Sequence, residues 1–213
     1  LIFRSKNMTI NFNELNNLQL DVLREIGNIG AGNAVSALAK MVNRRIDMSV
    51  PKVKILEFSE IPDMLGAPEE PVVGILLAMT GDITGHILFM LDRKSARLLV
   101  NMLFGFKEST SVEFDELEMS AIKELGNIMT GAYVAALSML TNLNILCSVP
   151  NVAIDMASAI LSVPAIEFGM LGETVLYIAS EFNEGDNKVL GDFFLIPDID
   201  SYETLLKTLG VII

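Results

Sequence analysis

Residues 21–51 read DVLREIGNIGAGNAVSALAKMVNRRIDMSVP, and residues 120–150 read SAIKELGNIMTGAYVAALSMLTNLNILCSVP. Laid one above the other they align without a gap over 31 positions, each pair 99 residues apart. Glu25 falls on Glu124, Gly27 on Gly126, Asn28 on Asn127, Gly32 on Gly131, Leu38 on Leu137, Asn43 on Asn142 and Pro51 on Pro150, while Asp21 falls on Ser120. So many chemically distinctive coincidences mark an internal duplication. A duplication decides the fold, because each copy must repeat the same order of elements. The match runs on downstream. PKVKILEF (51–58) matches PNVAIDMA (150–157), and GILLAMTG (74–81) matches ETVLYIAS (173–180). ITGHILFMLD (83–92) matches VLGDFFLIPD (189–198) after seven extra residues, and each copy closes on an amphipathic tail, RKSARLLVNMLFG or DSYETLLKTLG.

Each copy therefore reads helix, strand, short helix, hairpin, helix. The long helices span roughly 14–43 and 114–142, with Asn13 and Asp115 as N-caps. Strands follow near 51–58 and 150–156, with Pro at the first position, where a strand tolerates it. Residues 72–80 with 84–91, and 174–182 with 188–196, form hairpins. The expected fold is a single α/β (α+β) domain over residues 8–213, built from two pseudo-symmetric repeats at about 14–105 and 114–213. Its sheet has six mainly antiparallel strands, covered or flanked by two long helices. Half of it, with three strands, leaves a sheet face open, so the halves are not expected to fold independently. Residues 1–7 precede Met8 and fit no element; they are read as a leader or remnant.

Composition narrows the function. The chain has 213 residues, is 51% hydrophobic and carries a formal charge of −12. That acidity argues against nucleic-acid binding, which needs Lys and Arg against phosphates. The single cysteine, Cys147, makes no internal disulfide and suits a reducing, cytoplasmic setting. The apolar run IMTGAYVAALSML (128–140) is too short to span a bilayer. One histidine, His86, and one cysteine in distant elements give neither a triad nor a zinc set. GNIGAG (27–32) lacks the Lys-Ser/Thr of a phosphate loop, and the second copy loses a glycine.

What the duplicated helix keeps is a polar stripe. Asp21, Glu25, Asn28 and Gly32 are spaced +4, +3, +4, as are Ser120, Glu124, Asn127 and Gly131. At about 100° per residue each set lies on one narrow face. Leu18, Val22, Ile26, Ile29 and their counterparts lie to one side and can face the sheet, so the stripe faces solvent or a partner. Each interior glycine costs about 1 kcal/mol against alanine. Gly32 and Gly131 lie on the stripe, where a missing side chain lets another backbone approach; Gly27 and Gly126 can serve internal packing. An amide both donates and accepts hydrogen bonds and can hold a water at a chosen angle, and a carboxylate one turn earlier can anchor a partner's cation. That is a minimal outfit for hydrolysing an activated bond in another protein's site, by positioning rather than by general-base chemistry.

The doubled pattern (Asp or Ser)-x3-Glu-x2-Asn-x22-Pro resembles the CheC branch of the CheC/CheX/FliY phosphatases of bacterial and archaeal chemotaxis. The resemblance covers the chain after Met8; two complete motifs and the absence of an added C-terminal domain favour the CheC branch. It implies hydrolysis of the phosphoaspartate of the response regulator CheY. It assigns Glu25 and Glu124 to pairing with a lysine of the partner, and Asn28 and Asn127 to orienting the hydrolytic water. Asp21, Gly32, Ser120 and Gly131 then belong to the partner-binding face, and the Asp21/Ser120 difference implies unequal sites. No cofactor of the chain's own is implied, the magnesium belonging to the response regulator. A second implied partner is the receptor deamidase CheD, contacted through VPNVAIDM (149–156), with Asp155 as the candidate and Leu56 as its unlike counterpart. The rival readings are a non-catalytic adaptor that binds phosphorylated CheY and a CheD-regulating module.

Overall fold

The computed structural model describes residues 17–49, 52–57, 60–61, 69–105, 111, 113–168, 174–184 and 187–210. In chain order the elements are α1 (Asn17–Val42), β1 (Asp47–Met48), β2 (Lys52–Glu57), β3 (Pro71–Gly81), β4 (Gly85–Asp92) and α2 (Arg93–Phe104). The second repeat supplies α3 (Glu116–Thr141), β5 (Ile145–Cys147), β6 (Asn151–Met156), α4 (Ala157–Phe168), β7 (Thr174–Glu184), β8 (Asn187–Pro197) and α5 (Ile199–Thr208). The expected first-helix start and its Asn13 cap lie outside the described residues.

Local chemistry sets the ends of the long helices. Asp115 accepts the N–H of Glu118 at 2.8 Å while Glu118 accepts the N–H of Asp115 at 3.0 Å, a reciprocal cap on two otherwise orphaned donors. Past the other end, both copies turn at an asparagine in the left-handed region, Asn43 at φ 49° and Asn142 at φ 56°. Asparagine tolerates that conformation better than any other residue bearing a bulky side chain, which explains why this pair recurs in the duplicated sequence.

Among the described residues the sheet is antiparallel throughout and has eight strands rather than six, in the order β1-β7-β8-β4-β3-β5, with β2 also on β7 and β6 also on β3. The two additional strands, β1 and β5, are two and three residues long, too short to carry a sequence period. The repeats interleave. β1 and β2 of the first pair with β7 of the second, β5 and β6 of the second pair with β3 of the first, and β4 meets β8 at the centre. The pseudo-twofold axis passes between Phe89 and Phe193, which face each other in register with ring centroids 4.3 Å apart.

The inserted residues are distributed differently from the sequence match. A Cβ on Gly126 would lie 2.5 Å from Ile75, and one on Gly27 would lie 3.4 Å from Ile178. Equivalent helix positions therefore touch sheet positions 103 residues apart, not 99. Phe89 and Phe193 are 104 apart. Asp92 and Asp198, which cap α2 and α5, are 106 apart. Four of the seven extra residues enter before β7, one in the hairpin and two at the end of β8.

The sheet is covered on both faces. Ile75, Leu77, Phe89, Ile178 and Phe193 look toward α1 and α3 and form the main core with Leu38, Met129 and Leu137. Leu88, Met90, Tyr177 and Phe194 look the other way, onto Ile160 and Leu161 of α4 and onto Ile61. A Cβ at Gly74 would stand 2.7 Å from Ile160, so glycine there admits α4 against the sheet.

Two further ties cross between the repeats. The buried hydroxyl of Ser95 accepts the Leu190 N–H at 3.0 Å, and that of Ser201 accepts the Thr84 N–H at 2.7 Å. Each capped helix thus clips the other repeat's hairpin. The joint between repeats is pinned by Arg97, whose side chain is 5% exposed. It forms a bidentate pair with Glu118, donates to the carbonyls of Ser111 (2.6 Å) and Glu113 (2.5 Å), and stacks 4.4 Å from the Phe114 ring centroid.

Candidate functional site

Gly30 fixes how α1 and α3 meet. A Cβ there would lie 2.3 Å from the ring of Tyr133, so the ring lies on bare helix backbone. Tyr133 also stacks on Phe193, 5.8 Å between centroids, and thereby keys the helix pair to the centre of the sheet. The 99-residue offset maps Gly30 onto Met129 and Tyr133 onto Ala34, both fully buried. Rotation about an axis normal to the sheet makes the two helices antiparallel. Asn28 stands two residues before Gly30 on α1, and Asn127 two residues before Met129 on α3.

The stripe faces outward in both copies. Asp21, Glu25, Ser120, Glu124, Asn127 and Gly131 are exposed, and Asn28 and Gly32 are half-buried. A Cβ on Gly32 or Gly131 would meet nothing within 4 Å, whereas Gly27 and Gly126 are held against sheet side chains. The inward faces behave as the spacing requires at Ile26 and Leu125, which are 5% and 1% exposed. Leu117 departs from it. It is 66% exposed, while its neighbours Phe114 and Met119 pack against the main core.

The two sites are not identical. In the first, Asp21 pairs with Arg24 at 2.8 Å, and the carboxamide oxygen of Asn28 is buried without a hydrogen-bond partner among the described residues. In the second, Ser120 donates back to the Glu116 carbonyl at 2.8 Å and Asn127 is open to solvent. Chemically, each face offers a neutral amide and a carboxylate one turn apart, on a rigid helix and with room for a partner's backbone. Among the described residues no three His, Cys, Asp or Glu side chains gather as a metal site, and no helix is long and apolar enough to cross a membrane.

Asp155 lies away from these helices, exposed on β6, where its carboxylate accepts the Met156 N–H at 2.8 Å. Its counterpart Leu56 is half-buried against the second core. Two features of the site escaped the sequence reading: the cations Arg24 and Lys123, which occupy equivalent positions beside the glutamates, and the Arg97–Glu118 pin on α3. The first carried a signal, since both copies place a basic residue there; the second joins segments whose relation only the fold reveals.

Comparison with known proteins fits this geometry. Residues 18–55 and 117–154, the two motif-bearing segments, match the model of the CheC-like family. The chain is 39% identical over 203 residues to the CheY-P phosphatase CheC of Bacillus subtilis, covering 93% of this chain and 97% of the relative. It is 28% identical to the flagellar motor switch phosphatase FliY of the same organism over 65% of this chain and 36% of that one. Its backbone superposes on the crystal structure of Thermotoga maritima FliY with a TM-score of 0.75 over 92% of this chain and 98% of that chain, at 23% identity, a likeness of fold. With so high an identity over nearly its whole length, joined to two matched copies of one motif, the chain belongs to the CheC-like family.

Proposed function

We propose that the protein is an aspartyl-phosphate phosphatase of chemotaxis signalling that dephosphorylates CheY. The observation that carries this is the repeated Glu and Asn, one turn apart, on α1 and α3, with Glu25, Glu124 and Asn127 exposed and Asn28 half-buried. Glu25 and Glu124 dock a cation of the partner. A carboxylate in direct contact with the phosphoryl group would be repelled, so its place is beside that group, on the neighbouring positive charge. Asn28 and Asn127 hold the attacking water, and docking meets the entropic cost of placing it. Gly32 and Gly131 leave room for the partner's backbone, with Asp21 and Ser120 at the other end of the same face. The magnesium that assists phosphoryl transfer comes with CheY.

The test is phosphate release from phosphorylated CheY. Asn28→Ala with Asn127→Ala is expected to lower the rate on the order of 100-fold, in the range seen when one positioned polar group is removed from a hydrolytic site, with unchanged circular dichroism. Retained acceleration in the double variant overturns the role of the asparagines; binding without any acceleration in the parent protein makes it an adaptor. For CheD the supporting observation is the exposed Asp155 on an edge strand where the first repeat has Leu56. Asp155→Lys should abolish CheD capture and leave dephosphorylation of CheY intact.

A further inference from the structure

Each glutamate of the site follows directly on a basic residue, Arg24 before Glu25 and Lys123 before Glu124, and both cations are exposed. Arg24 lies four residues before Asn28, and Lys123 four residues before Asn127, so cation and amide are neighbours on one helix face with Cβ atoms about 6 Å apart. The two cations differ in what holds them. Arg24 donates to Asp21 at 2.8 Å, whereas the position equivalent to Asp21 is Ser120, whose hydroxyl is turned back to the Glu116 carbonyl. Among the described residues Lys123 carries no ion pair.

Resting on the phosphatase reading above, we infer that Lys123 supplies positive charge to the phosphoryl group during hydrolysis, and that Asp21 masks Arg24 from the same task. A phosphoryl group carries about −1.5 to −2 charge near neutral pH. In a chain of net charge −12 an anionic ligand needs local compensation, and on α3 the nearest free source is Lys123. The Glu and the cation then divide the partner between them: Glu124 takes its positive group, Lys123 the phosphoryl oxygens, and Asn127 the water. The water oxygen forms a bond to phosphorus as the bond from phosphorus to the aspartyl oxygen breaks. The electron pair leaves on the aspartate carboxylate, and both water protons finish on the released phosphate as dihydrogen phosphate. Charge on the equatorial oxygens persists through this transfer, where a cation presented by a second protein is effective. The identity of the first motif position, Asp in one copy and Ser in the other, thereby sets the strength of its site.

The experiment isolates the sites and follows regulator-bound phosphate in single turnover. With the first site silenced by Asn28→Ala, Lys123→Ala should lower kcat/KM about two- to fivefold, the span for an exposed charge contact. It should also flatten the salt dependence, because screening has less to act on, and Lys123→Arg should restore both. With the second site silenced by Asn127→Ala, Asp21→Ser should raise kcat/KM by a similar factor. Unchanged rate and salt dependence in Lys123→Ala, or no gain in Asp21→Ser, overturns the inference while leaving the asparagine assignment standing. Activity surviving in Asn28→Ala/Asn127→Ala would instead defeat the phosphatase reading itself.

Discussion

Gly32 and Gly131 sit in helix interiors with open space where a Cβ would stand. Alanine there meets no obstacle, so each replacement should stabilise the helix by up to about 1 kcal/mol. For a domain of this size the pair should raise Tm by about 4–8 °C. If the partner's backbone lies against these glycines, the same Gly32→Ala/Gly131→Ala variant loses phosphatase rate, a stability gain coupled to a functional loss. Unfolding scans and phosphate release on one preparation check it; a stabler protein with full activity would mean that the glycines serve no approach. Gly126 is the internal control. Its Cβ would press to 2.5–2.7 Å from Ile75, and the cost of overpacking, about 1–3 kcal/mol, outweighs the helical gain. Gly126→Ala should therefore lower Tm, although the substitution is chemically the same as at Gly131, five residues on.

At the scale of elements, α3 is held where it is by the Arg97–Glu118 pair and by the carbonyls that share the guanidinium. Removing Arg97 takes both guanidinium bonds from Glu118, which keeps only the Asp115 N–H, and strips the same donor from the Ser111 and Glu113 carbonyls. Arg97→Met should cost about 3 kcal/mol, the lower end of the range for breaking a buried pair, because Glu118 keeps some solvent access. The hydrogen bond and charge of Arg97 hold the Glu118 carboxyl below its ordinary value of 4.5 against the opposing effect of desolvation. A carboxyl depressed in the folded state stabilises the fold above its unfolded value, and that stabilisation fades as pH falls through the folded one. Urea midpoints below pH 4.5 should thus fall more steeply in the parent protein than in Arg97→Met. The serine clips belong to this scale too. Ser95→Ala and Ser201→Ala each strand one hairpin N–H, costing about 1–2 kcal/mol. Lying in different repeats with no shared partner, the two should add.

At the scale of the whole molecule, the duplication was legible because a gapless match fixes element order and because helical spacing brings Glu25 and Asn28 onto one face. The strand register was not. The sequence match and the structure differ by four residues at β7 and by two at β8, both even numbers. Side chains alternate with a period of two, so an even slip leaves every residue on its correct face and the pattern cannot reveal it. The exchange of edge strands left no local signal either, since β2 reads the same whichever β-strand receives it. That exchange has a consequence for how the molecule can be divided. A first-repeat fragment ending at Gly105 would hold β1 and β2 with no β7 to pair them, β4 without β8, and Gly30 without the Tyr133 ring that fills its surface. A second-repeat fragment from Ser111 would leave β5 and β6 without β3, and the Thr84 N–H contact of Ser201 unmade. Each fragment exposes long unpaired edges and an open sheet face, conditions that favour aggregation over folding. Expressed separately, both should lack a cooperative thermal transition; co-expressed, they should associate one to one and recover the transition together with phosphatase activity. A fragment that folded alone with a sharp transition would show that its edge strands can pair within their own repeat, and the interleaved sheet would then not be what binds the two sites into one molecule.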